Sequence, residues 1–170
     1  MKPTRFLLGA LLLLPLAASA AERSDQGSPA LQVQVDVPAS VDPLHEDDVI
    51  EVFVDAVREA FRRRGYDGRI DELDWADDVK PDAPLLAVRL LRWERNRTGG
   101  IDCTFGASVR PVGGKEQSLG TFTQTELGLA ITNRWTLHEA FRDAAERAAE
   151  QMYRRLAKLD VIPGIAPRKD

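Results

Sequence analysis

LLAVRLLRWERNRTGGIDCTFGASVR, residues 85–110, is the stretch that decides the fold. Its first third, Leu85 to Trp93, is almost continuously apolar, which predicts a strand covered on one face and partly on the other, at the centre of a sheet. Asn96-Arg97-Thr98-Gly99-Gly100 is turn chemistry. Beyond it Ile101, Cys103, Phe105, Ala107 and Val109 alternate with Asp102, Thr104, Gly106, Ser108 and Arg110, the period-two pattern of a strand with one dry and one wet face. Val112-Gly113-Gly114-Lys115 supplies a second turn, and a Thr-rich strand follows from about Gln117 to Thr125. Three consecutive strands joined by tight turns make an antiparallel meander.

On the N-terminal side, Leu31, Val33, Val35 and Val37 alternate with Gln32, Gln34 and Asp36, so an opening strand with a wet Gln/Gln/Asp side is expected, ended by Pro38. Asp42 and Pro43 then punctuate a helix start, and Glu46, Asp47 and Asp48 place negative charge at the positive end of its dipole. Ile50, Phe53, Val54, Val57, Ala60 and Phe61 form its apolar stripe, Arg62 to Arg64 its basic last turn and Gly65 its stop. Arg69 to Leu73 reads as a possible short strand within an acidic connection that runs to Pro84. After an apolar loop, Leu127 to Arg134, the spacing Thr136-x-x-Glu139 predicts a capping box opening a second helix. Its stripe is Leu137, Phe141, Ala144, Ala145, Ala148, Met152, Leu156 and Leu159. Strand, helix, short strand, meander, helix reads as α+β: a two-layer sandwich, with a mixed sheet of three to five strands and two amphipathic helices on one face.

The chain opens with Lys2 and Arg5, an apolar run from Phe6 to Leu16, and Ala18-Ser19-Ala20, the layout of a secretory signal peptide cut between Ala20 and Ala21. The expected organisation is a signal peptide at 1–20, a flexible lead at 21–30, one domain at 31–160 and a tail at 161–170, in a periplasmic or secreted protein with no transmembrane segment after cleavage. Residues 1–20 hold two bases and no acid, so their removal moves the formal charge from −4 to −6, which argues against nucleic acid as a partner. A lone cysteine, Cys103, excludes an internal disulfide, and its alternating neighbours place it as an inert thiol in the core.

Sequence order, with the helix ending in Arg64-Gly65-Tyr66, the Leu85–Trp93 strand, the Gly-turn hairpin and the helix closing near Leu159, resembles small exported accessory proteins of bacterial cell-envelope machinery. Examples are the lipopolysaccharide-assembly lipoprotein and the auxiliary lipoproteins of envelope transporters. The resemblance implies a non-enzymatic accessory or binding module with an envelope protein or an anionic envelope ligand as partner. Those families carry a lipidated cysteine after the signal peptide, and here that position is Ala21, so membrane tethering does not transfer.

Catalytic and metal motifs are not found in the sequence. His45 and His138 open different helices without a second ligand at metal spacing, and no cofactor or metal is expected. The acids Asp71, Glu72, Asp74, Asp77, Asp78 and Asp82 around Trp75 lack the order of a calcium loop and read as a solvated segment. Two alternatives to the accessory module stand beside it. One is a small exported hydrolase using carboxylates of the 71–82 loop or His138, which requires a deep pocket lined by them. The other is anionic small-molecule binding by Arg89, Arg92, Arg95 and Arg97 around Trp93, with Arg89, Trp93 and Arg95 expected on one face of the strand. Oligomeric state and the identity of any partner are not legible.

Overall fold

A computed structural model describes residues 30–38, 43–74, 77–97, 100–126 and 134–165, without the side chains of 43–48, 94, 95, 101, 126 and 134–137. The signal segment, the lead as far as Pro29, Trp75, the loop Leu127 to Asn133 and the last residues of the tail lie outside the described residues, as do the side chains of His45, Arg95 and Thr136.

Strand β1 (Leu31–Asp36) puts Leu31, Val33 and Val35 into the core, as its alternation requires. Helix α1 (Pro43–Arg63) buries Val49, Phe53, Val54, Val57, Ala60 and Phe61 on one stripe. Its end shows why Gly65 is needed there. Gly65 has φ of 90°, its N–H donates to Arg62 O at 2.9 Å, and the Tyr66 N–H donates to Phe61 O at 3.0 Å. These are the two bonds of a Schellman cap, and the expected apolar contact accompanies them, with the Phe61 and Tyr66 rings edge-to-face at 6.1 Å.

The rest of the chain is β2 (Ile70–Leu73), β3 (Leu85–Arg95), β4 (Ile101–Arg110), β5 (Gln117–Glu126) and α2 (Arg134–Leu159). The five strands form one open sheet ordered β2-β1-β3-β4-β5, with β1 parallel to both β2 and β3 and the last three strands antiparallel. The architecture is therefore the expected α+β two-layer sandwich, with β3 at the centre. Both helices lie on one face. The core between layers is a chain of rings: Phe53 to Phe105 at 4.8 Å, Phe105 to Phe141 at 6.2 Å and Phe141 to Trp93 at 4.5 Å. Between the helices, Tyr153 packs edge-on to Phe61 at 5.1 Å and donates its hydroxyl to Arg64 O at 3.2 Å. Arg63–Glu146 at 2.8 Å and Arg64–Glu150 at 3.1 Å cross the helix seam, each worth at most about 1 kcal/mol at this exposure.

Four expectations need correction. Gln32 is fully buried and not on a wet face, because the connection from β2 to β3 must cross β1 and does so over Gln32. The amide donates to Lys80 O at 2.9 Å and Ala83 O at 3.0 Å and accepts from the Lys80 N–H at 2.8 Å, so a side chain stands in for a neighbouring strand. Second, the β3–β4 register shifts between Leu90 and Arg92, and this bulge reverses the facing of every later β3 residue. Third, α2 begins at Arg134, so Thr136 and Glu139 lie inside its first turns instead of marking its start. Fourth, the segment after residue 160 is not all tail: Ile162 and Ile165 are buried, adding two apolar side chains to the core. Cys103 is fully buried, as its alternation indicates.

Candidate functional site

With both helices on one side, the opposite face of the sheet is, among the described residues, left bare except where residues 77–84 cross it. Its side chains come from alternate positions, and pairing register arranges them in rows across the strands. One row is Gln34, Ala87, Ser108 and Ser118; the next is Asp36, Arg89, Gly106 and Thr121. The middle of the sheet thus has Ala, Ser and Gly where long side chains would otherwise stand. A concavity of about 680 Å³ results, floored by Ala87, Gly106 and Ser108, and a smaller one of about 320 Å³ adjoins it against Val79, Leu85 and Arg110 of the crossing connection and its neighbours.

The polar groups around this groove hold one another in place. Arg89 pairs with Asp36 across β1 and β3. The Ser108 hydroxyl donates to Glu116 at 2.5 Å, and the Thr104 and Thr123 hydroxyls lie 3.3 Å apart. At the far end, Asp102 accepts from Asn96 Nδ2 at 3.1 Å and from the Thr125 hydroxyl at 2.9 Å. These two hydrogen bonds, with help from the charge of Arg92, hold its carboxyl below the usual carboxylate range. Leu91, half exposed, sits over Gly106 on the same face, where a Cβ at Gly106 would lie 3.4 Å from its Cδ1.

The arginine cluster expected around Trp93 is split. The bulge leaves Arg89 and Arg92 on the bare face, opposite Gly106 and Thr104, but turns Trp93 inward opposite Cys103, where it stacks on Phe141. Arg89 and Trp93 therefore do not share a face, and indole stacking beside the arginines is not available to a ligand on the bare face. Arg97 is exposed in the turn beyond β3, and the Arg95 side chain is outside the described residues. Sequence reasoning missed Ala87, Gly106, Ser108, Arg110 and Glu116. The available signal was the small residues at outward positions 87, 106 and 108 of two adjacent strands, which are an invitation to close approach.

A third concavity, about 570 Å³, runs between the helices on their outer surface and is lined by His138 with Glu51, Asp55, Glu59 and Glu146. Three of these four acids are matched by arginines: Asp55 with Arg58 at 2.8 Å, Glu59 with Arg62 at 3.9 Å and Glu146 with Arg63 at 2.8 Å. The acids of the 71–82 segment line none of these three concavities. Among the described residues, no group of three or more His, Cys, Asp or Glu is placed to hold a metal ion, and no helix is long and apolar enough to cross a membrane.

No protein-family model matches the chain, and no curated protein does. Three solved structures are similar to it to different degrees. A structure of an uncharacterized protein superposes with a TM-score of 0.56 at 10% identity, covering 76% of this chain and 93% of that one. The PelC dodecamer from Paraburkholderia phytofirmans gives 0.47 at 11% identity, over 74% and 87%. A Xanthomonas campestris protein of the DUF330 family gives 0.47 at 16%, over 79% and 88%. At such identities the likeness is one of fold, and it is the first of these that bears on it.

Proposed function

We propose that this chain is a non-enzymatic accessory or binding module of the bacterial cell envelope, exported to the periplasm, which holds its partner in the groove on the bare face of the sheet. One observation carries the reading: a sheet covered by helices on one face only, whose other face is hollowed by Ala87, Gly106 and Ser108 and rimmed by ordered polar groups. Small residues at outward positions let another molecule approach the backbone closely, and the rim offers both donors and acceptors in fixed positions. The signal-peptide pattern of residues 1–20 and the resemblance in element order to envelope accessory proteins support the location.

A photo-crosslinking residue placed at Ser108 in cells making the protein with its own leader tests this reading. The expected result is a discrete adduct at Ser108, none at the exposed Glu51 on the helix layer, and a processed N-terminus at Ala21 in the periplasmic fraction. Equal labelling at both positions, or only uncrosslinked chain, would contradict it.

A further inference from the structure

The two edges of the sheet are built differently. β2 has four residues, and its Asp71 pairs with Arg69 at 2.7 Å while Glu72 lies 3.7 Å from Arg58, a short charged edge of the kind that resists further pairing. β5 has ten residues and contains neither lysine nor proline. Among the described residues only β4 pairs with it. Its irregularity lies early, between the partners of Ala107 and Ser108, and Thr121–Glu126 then runs in unbroken register opposite Gly106–Ile101. In such a ladder alternate residues turn their N–H and C=O away from the neighbouring strand.

Helix α2 flanks this edge. The Arg155 guanidinium lies 5.9 Å from the centre of the Phe122 ring and 3.6 Å from where a Cβ on Gly120 would stand. At about 100° per residue, Arg147, Gln151 and Lys158 fall within about 80° of Arg155 around the helix, on the side away from the α1 seam. All four are exposed, and the stripe carries three bases and no acid in a chain whose net charge is −4.

We infer that the β5 edge accepts an extended acidic segment of a partner protein as a sixth strand, with main-chain hydrogen bonds to Thr121–Glu126 and carboxylates facing Arg147 and Arg155. The spacing fits. Eight helical residues span about 12 Å along the axis, and same-face strand positions i and i+4 are about 13 Å apart. The recognised pattern is thus two acids four residues apart in an otherwise β-prone, uncharged stretch, which is strand addition with charge-set specificity. A second copy of this chain is the poorer occupant, because two-fold pairing of β5 brings two basic stripes together. The edge shares only Thr121 with the groove, and its pairing does not require the groove to be occupied.

The test uses the exported protein and a labelled ten-residue peptide of alternating threonine and valine with two glutamates four residues apart, alongside the same peptide with lysines there. Anisotropy should show the glutamate peptide binding at least about tenfold tighter, and the exposed double reversal R147E/R155E should invert that preference. Hydrogen exchange should show new protection at alternate amides of 121–126. Arg147→Glu alone leaves the Arg155–Phe122 contact intact and should still weaken the glutamate peptide about threefold, which keeps the test open should the double variant not fold. Equal binding of both peptides, binding of neither, protection confined to other strands, or concentration-dependent dimerisation lost on Thr123→Pro would overturn the inference.

Discussion

Replacing Gln32 by Leu tests the most consequential contact in the fold. The change puts a shorter, branched apolar side chain in its place and removes three hydrogen bonds to Lys80 and Ala83 at 2.8–3.0 Å, leaving one N–H and two carbonyls of the crossing connection without their partner. At about 0.5–1.5 kcal/mol net per bond, their sum is roughly 1.5–4.5 kcal/mol, and because Lys80, Pro81 and Asp82 are exposed the freed backbone reaches water in part. A loss of about 2 kcal/mol is expected, equivalent to a melting temperature lower by roughly 6 °C for a domain of this size. Urea denaturation followed by circular dichroism gives the stability, and limited proteolysis gives the location. Cleavage within 77–83 should rise well before global unfolding, since the crossing segment loses its anchor while the ring core between layers is untouched. Stability within 0.5 kcal/mol of the parent protein, with unchanged cleavage there, would refute the view that the Gln32 amide fixes the crossover.

Gly65 and Gly68 separate two reasons for glycine. Gly65→Ala meets no atom within 4 Å but is held at φ of 90°, so a loss of about 1 kcal/mol is expected, whereas a Cβ at Gly68 would lie 2.3 Å from the Tyr66 ring and should cost about 2–3 kcal/mol; chemical denaturation of both variants checks the order. Burial, assisted by Asp67, pushes the Tyr66 phenol up to about 12, so ultraviolet titration should show one tyrosine ionising that late. Because the folded value is raised, its contribution to stability is complete below the unfolded value near pH 10 and is lost as pH rises through about 12. Asp102 behaves in the opposite sense: its folded value is lowered, so its contribution is present above the ordinary carboxylate range and fades as pH falls through the folded value. Carboxyl chemical shifts should place its midpoint below that of a free aspartate, and replacing Asn96 by Ala together with Thr125 by Val should raise it.

Local pattern carried much of this fold. The alternation around Cys103, the helical stripe from Phe53 to Phe61 and the stop at Gly65 are each decided by neighbours within a turn or two, and each stands as read. What stayed hidden depends on distant parts of the chain. Gln32 alternates like a solvated residue, and only the strand order reveals that a connection must pass over it. The bulge at Leu90 to Arg92 left no trace because Leu90 and Leu91 are equally apolar, yet it decides that Trp93 belongs to the core and Arg92 to the bare face. Likewise Ile162 and Ile165, beyond the last helix and beside Pro163, carry no periodicity, although Gly164 rests 3.4 Å, by its Cβ position, from the Tyr66 ring. The groove was missed for the same reason, since a floor of Ala87, Gly106 and Ser108 exists only once β3 and β4 are in register.

Gly106→Trp gives the most direct measure of whether the hollowed face is the working surface. The new side chain points into the groove, and the one near neighbour of its Cβ is the end of the flexible Leu91 side chain at 3.4 Å, so the fold should be retained with a melting temperature close to the parent's. Crosslinking from Ser108 should then fall to background in this variant and persist in Arg142→Glu on the helix layer. Undiminished crosslinking from Ser108 with the groove filled and the protein folded would contradict the account.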